Sequence, residues 1–164
     1  MNGFLARLFG RTPPAAISEA RSRDALALAR LHAASFPSGW SEAEMERLLS
    51  DPAVIAHLAR ANGGRGQPAG FLMSRCAADE AEILSVAVDP KARGRGVAGA
   101  LLAHHLSRAA ARGIARIFLE VGEDNAPALR LYEKAGFRPV GKRAGYYPRP
   151  EGAVSALVLR RELV

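Results

Sequence analysis

At 164 residues, with 49% apolar and 24% charged side chains, the chain has the composition of one globular domain able to bury a core, which excludes a disordered polymer. No apolar run approaches the roughly 20 residues that a membrane-spanning helix needs, and the lone Cys76 excludes an intrachain disulfide and lends no support to secretion. A net charge of +7 calls for an anionic partner, but aromatics are only 6% and do not alternate with the basic residues, so no direct nucleic-acid surface is expected.

Along the chain, Met1 to Pro14 reads as a short amphipathic extension: Phe4, Leu5, Leu8 and Phe9 share a helical face, and Pro13-Pro14 ends it. Arg7 interrupts the apolar stretch that a secretory signal requires. One such stretch does not anchor stably to a membrane, so a cytoplasmic protein is expected. Residues 15–164 form a single domain.

Ala15 to Arg21 reads as a strand, followed by a helix from an N-cap at Ser22 to about Ser35 and a break at Phe36-Pro37-Ser38-Gly39. Ser41 with Glu44 forms a complete capping box for a second helix with Met45, Leu48 and Leu49 inward. Strands follow at Val54 to Ala61, Ala69 to Arg75 and Ala81 to Val88. A helix over Arg95 to Arg112 turns Ala98, Leu101, Leu102, His105 and Ala109 inward and stops at Gly113. Arg116 to Val121 is a strand, Asn125 to Ala135 a helix closed by Gly136, and strands at Arg138 to Gly145 and Val154 to Arg160 end the chain. The fold class is α/β, with a mixed, mostly antiparallel sheet flanked by helices.

Between the strand ending at Val88 and the following helix lies a basic, glycine-rich turn. Free N–H groups at a helix N-terminus converge there and the helix dipole adds positive charge, so the turn is suited to a phosphate. Gly94 and Gly96 let an anion approach the main chain, and Lys91, Arg93 and Arg95 surround it. The bland alternative is a glycine-rich connection with solvated arginines. Gly94 to Gly99 also matches the dinucleotide pattern G-x-G-x-x-G, with Glu120 ending a later strand. That reading fails because Asp89 to Arg93 separate the strand from the first glycine, and too little chain follows for a doubly wound fold.

Arg93-Gly94-Arg95-Gly96-Val97-Ala98, preceded by Ser85-Val86-Ala87-Val88-Asp89-Pro90, resembles the Q/R-x-x-G-x-G/A signature of the GNAT superfamily of N-acetyltransferases. A second signature, N-x-x-A-x-x-L-Y-x-x-x-G-F, stands at Asn125 to Phe137. Phe118-Leu119-Glu120-Val121, Trp40-Ser41-Glu42 and Tyr146-Tyr147-Pro148 further resemble the bacterial RimI type, which acetylates the N-terminal alanine of a small-subunit ribosomal protein. The resemblance covers roughly residues 15 to 160.

It implies the GNAT fold, acetyl-CoA as cosubstrate, no metal, and a ribosomal-protein N-terminus as acceptor. It assigns Glu120 as general base and Tyr132 as general acid. It places the pantetheine arm and acetyl group on the main chain of Val86, Ala87 and Val88, and the pyrophosphate on Arg93, Gly94, Arg95, Gly96, Val97, Ala98 and Gly99, with Asn125 bonding the cofactor. Trp40, Tyr146 and Tyr147 are candidates for the acceptor site, each with an alternative as a packing residue. Glu120 and Tyr132 read on their own as a strand-end acid and a core aromatic.

Two positions depart from the RimI pattern: Gly122 stands where an arginine is usual, and Ser155 where an acid is expected. Both bear on the acceptor. Alternative acceptors are a lysine side chain, a polyamine or another small amine, and a non-catalytic acyl-CoA-binding module is the alternative to an enzyme. His32, His57, His104 and His105 lack metal-ligand spacing and receive no role.

Overall fold

Alternation of period two in the central strands decides how the layers form, because successive side chains leave a strand on opposite faces. In Val54–Arg60 (β2), Ala56 and Leu58 point to one face and His57 and Ala59 to the other. Pro68–Ala77 (β3) repeats the pattern, with Phe71 and Met73 on the first face and Leu72 and Ser74 on the second. Both faces are buried, so helices cover both.

The computed structural model describes residues 15–164, and the extension expected over Met1 to Pro14 lies outside the described residues. Ala16–Glu19 (β1) leads into a 3-10 turn at Ser22–Asp24, then Ala25–Ser35 (α1) and Glu42–Ser50 (α2). After β2, a helical turn at Ala61–Gly64 and β3 come Glu80–Val88 (β4), Val97–Ala111 (α3), Arg116–Gly122 (β5), Ala126–Lys134 (α4), Arg138–Tyr147 (β6) and Val154–Glu162 (β7). The seven strands form one sheet in the order β1-β2-β3-β4-β5-β7-β6, parallel only between β4 and β5. The expected mixed, mostly antiparallel sheet is therefore present.

One core packs α1 and α2 on the sheet through Leu28, Met45, Leu58, Phe71 and Met73. The opposite core joins α3 and α4 to it through Leu101, Leu102, Leu106, Ile117, Tyr132 and Phe137. Burying these side chains is the main favourable term in folding, each aliphatic contributing about 1.5–3 kcal/mol.

Local signals set several boundaries. The Ser41 box forms as expected: Glu44 N–H donates to Ser41 Oγ (3.2 Å) and Ser41 N–H to Glu44 Oε2 (2.7 Å). Ser22, in contrast, does not cap α1. Asp24 accepts the Arg21 N–H at 2.9 Å, and its carboxylate also pairs with Arg60, so a 3-10 turn precedes the helix. The glycine-rich helix starts at Val97 rather than Arg95, since Gly96 takes the left-handed conformation (φ 79°) that ends the turn.

The second face also buries a polar cluster. His105 on α3 is fully buried, with Nδ1 2.8 Å from His57 Nδ1 and Nε2 2.7 Å from Ser74 Oγ. The His104 ring meets His57 edge-on at 4.8 Å. Each contact joins elements far apart in the chain.

Candidate functional site

Strands β4 and β5 pair only at their first residues, Glu80–Glu82 with Arg116–Phe118, and then diverge. A register shift between β3 and β4 at Met73/Ser74 lets Leu84 bulge just where they part. Such a bulge bends its strand and sharpens the twist. Ile83 to Val88 thus keep one edge without a strand partner. Between the arms opens a cleft of about 860 Å³, lined by β4, the glycine-rich turn, β5, α4 and the end of β6.

One end of the cleft is the turn. Gly94 (φ 74°) and Gly96 (φ 79°) are both left-handed, and a Cβ on either would meet nothing within 4 Å. Conformation and open access, rather than crowding, call for glycine here. No side chain caps α3, and its first internal bond runs from Ala100 N–H to Gly96 O, so the N–H groups of Val97, Ala98 and Gly99 lack helical partners. Arg93 braces the turn: its Nε donates to Val88 O (3.2 Å) and its Nη2 to Ser35 Oγ (3.4 Å). Arg95 does not line the cleft.

Deeper in, Glu120 on β5 and Tyr132 on α4 both line the cleft. The Glu120 side chain is 19% exposed and its Oε1 receives Arg143 Nη2 at 3.0 Å. The Tyr132 ring is buried against Phe137, and burial, with a smaller effect from Tyr147, pushes its phenol up to about 12. The hydroxyl therefore keeps its proton at neutral pH. Asn125 caps α4, its Oδ1 accepting Ala128 N–H at 3.3 Å.

The far end is walled by the β6–β7 hairpin. Ala144 to Tyr146 oppose the single residue Ser155, whose Oγ accepts Gly145 N–H (3.4 Å) and whose carbonyl accepts Glu123 N–H (2.9 Å). This irregular stretch turns Tyr147 into the cleft and leaves Tyr146 half exposed under the Arg143 guanidinium, 5.3 Å from the ring centre. Burial, followed by the Glu120 carboxylate, raises the Tyr147 phenol.

Trp40 lies elsewhere. Its ring stacks on His32 at 4.2 Å, its main-chain N–H donates to His32 Nδ1 (3.0 Å), and it helps pack α1 against α2. The structure thus gathers Val86, Ala87, Val88, Arg93, Gly94, Gly96 to Gly99, Glu120, Asn125, Tyr132 and Tyr147 round one cleft, and leaves Arg95, Trp40 and Tyr146 off its lining. Phe36, Ser85 and Arg149 also line it. Ser85 carried a weak signal, a polar residue inside a strongly apolar strand, and its buried Oγ has no hydrogen-bond partner among the described residues. Arg149 had none.

The acetyltransferase (GNAT) family model matches residues 25–137. The chain is 37% identical over 94 residues to the ribosomal protein bS18-alanine N-acetyltransferase of Escherichia coli; that stretch is 57% of this chain and spans 64% of the relative's length. It is 46% identical over 88 residues to the mycothiol acetyltransferase of Clavibacter michiganensis, covering 54% of this chain and 28% of that protein. Among solved structures, the ribosomal-protein-S18-alanine N-acetyltransferase from Escherichia coli superimposes with a TM-score of 0.83 at 29% identity, covering 92% of this chain and 94% of that one. Ard1 from Thermoplasma volcanium superimposes with a TM-score of 0.77 at 25% identity, covering 92% and 98%.

Proposed function

From the premise that this chain belongs to the acetyltransferase (GNAT) family, and so has the fold of that family, we propose that it transfers an acetyl group from acetyl-CoA to the N-terminal amine of a protein. The observation that carries the reading is the cleft between β4 and β5, which has an open, basic helix N-terminus at one end and a carboxylate and a protonated phenol beyond it. The acceptor we infer is the N-terminal alanine of a small-subunit ribosomal protein, the reaction for which the Escherichia coli relative is named. Such an acceptor places the enzyme in the cytoplasm; no helix among the described residues is long and apolar enough to cross a membrane.

The residues present fit acetyl-CoA. A pyrophosphate suits the N–H groups of Val97 to Gly99, which have no helical partner, and the glycine backbone before them, with Arg93 and Arg95 adding positive charge. An extended pantetheine arm suits the partnerless edge of Val86 to Val88. Asn125 uses its amide oxygen as a cap, so a bond to the cofactor falls to its amide nitrogen. When bound, the cofactor supplies an acetyl group activated as a thioester.

The protein's own groups do the rest. An α-amine has a pKa of about 7.7 to 8.0, so modest help deprotonates it, and Glu120 takes that proton directly or through a water. Arg143 engages Oε1, which leaves Oε2 free to receive the proton. Main-chain N–H groups of Val86 to Val88 stabilise the negative charge that grows on the acetyl oxygen. Tyr132 stays protonated and donates to the departing sulfur.

The test is mass spectrometry of peptides beginning with alanine, incubated with acetyl-CoA and the protein. One added acetyl on the α-amine is expected. Unmodified peptides beside an acetylated lysine or polyamine would move the acceptor, and binding without any transfer would leave a CoA-binding module.

Gly96→Val tests the turn. A β-branched residue at φ 79° is expected to cost about 1–3 kcal/mol of stability. It is also expected to weaken acetyl-CoA about tenfold in calorimetry, as loss of one hydrogen bond to a charged group does.

A further inference from the structure

Three acids on β5 and the turn after it are each paired with a base from the β6–β7 arm. Glu120 pairs with Arg143 (3.0 Å), Glu123 with Lys142 (2.9 Å) and Asp124 with Arg149 (3.1 Å). Arg149 alone among these bases also lines the cleft, and it does so just past Tyr147. Its guanidinium forks onto both oxygens of Asp124, Nε to Oδ2 at 3.1 Å and Nη2 to Oδ1 at 3.4 Å. Nη1 donates to Pro148 O at 3.1 Å, and the guanidinium carbon lies 5.6 Å from the centre of the Tyr147 ring.

The backbone cooperates with this placement. Pro148 and Pro150 restrict the chain on either side of Arg149, and Gly152 N–H donates to Arg149 O at 3.1 Å. Opposite stands Gly122, the last residue of β5. A Cβ there would lie 2.8 Å from Asp124 Oδ1 and 3.3 Å from Arg149 Nη2. The φ of Gly122 is not left-handed, so its backbone admits other residues and only space demands glycine. Gly122 thus makes room for the fork.

The glycine-rich turn occupies the other end of the cleft, so an amine reaching Glu120 enters past the hairpin. We propose that Arg149 is a positioning residue for the acceptor: it latches the hairpin onto Asp124 across Gly122 and so holds Tyr147 as the wall against which the acceptor chain lies. This role rests on the reading of the protein as an acetyltransferase of N-terminal amines.

The experiment compares Arg149→Met, Arg149→Lys and Gly122→Ala with the wild type. It measures steady-state acetylation of a peptide beginning with alanine, acetyl-CoA affinity by calorimetry, and amide hydrogen exchange over residues 147–152. Arg149→Met and Gly122→Ala are expected to raise the acceptor KM about fivefold, near the upper limit for an exposed ion pair, and to speed exchange across the turn. The values of kcat and acetyl-CoA affinity stay as in the wild type, and Arg149→Lys recovers part of the KM. An unchanged KM, or a loss confined to kcat or to cofactor affinity, overturns the proposal. Should the wild type leave the peptide unmodified, the transfer reading fails by itself. Exchange then still decides the latch, and rates equal to wild type in Arg149→Met overturn it.

Discussion

Glu120→Gln is expected to lower kcat about 10²- to 10⁴-fold, the range over which a positioned general base acts. Glutamine preserves the size and planarity of the side chain but cannot take up the amine proton. Glu120 lies on β5, away from the glycine-rich turn, so acetyl-CoA affinity should stay within about twofold by calorimetry. Stability should barely change, because the lost ion pair joins Glu120 to an Arg143 that is 57% exposed, and exposed pairs contribute about 0–1 kcal/mol. A variant with normal turnover would remove Glu120 from the chemistry. One that no longer binds acetyl-CoA would move it to the cofactor site. Thiol release with a peptide acceptor, followed beside the calorimetry, separates these results.

A second large effect is expected in acid. Burial lowers His105 to about 3 and His57 to about 4, with nearby histidines adding to the shift, against about 6.5 for an unfolded histidine. Both are neutral in the folded protein and bind protons more readily once unfolded. Their contribution is therefore fully present above pH 6.5 and is lost as pH falls from 6.5 towards the folded values. Each histidine costs about 1.4 kcal/mol of stability per pH unit in that window, or about 3 kcal/mol per unit for the two together.

Geometry sharpens this expectation. One shared proton satisfies the 2.8 Å contact between the two Nδ1 atoms, whereas protonating both rings would set two N–H donors head-on. His104, Arg108 and Arg112 nearby oppose further positive charge, and only Glu19 favours it. Urea unfolding at pH 7.5, 6, 5 and 4.5 measures the slope. A midpoint that stays flat below pH 6.5 would show that the pair is not buried neutral in solution.

How much of this was legible beforehand differs from one element to the next. The Ser41 capping box could be read directly, since its four residues decide their own hydrogen bonds. Ser22 misled: it stands at a plausible cap position, but Asp24 reaches both the Arg21 N–H and the distant Arg60 and takes over the helix start. The helix after the turn began two residues late, because a left-handed Gly96 is as good a stop as a start. The four histidines lacked metal spacing and drew no role, although the helical pattern turned His105 inward. Spacing cannot reveal that β2 and β3 bring His57 and Ser74 onto the two nitrogens of His105.

The sequence by itself determined the alternating faces of the strands and the glycine-rich turn at Gly94 to Gly99 ahead of a helix, while Glu120, Asn125 and Tyr132 stood out only through the resemblance to a family. The strand faces and the turn follow from backbone preference and residue type within a few positions, which local sequence controls. The tertiary structure decided the rest. The bulge at Leu84 and the early parting of β4 from β5 open the cleft, and the order β5-β7-β6 carries Arg143 to Glu120 and Arg149 to the space left by Gly122. Those contacts depend on register and strand order across the whole sheet, and no spacing along the chain encodes them.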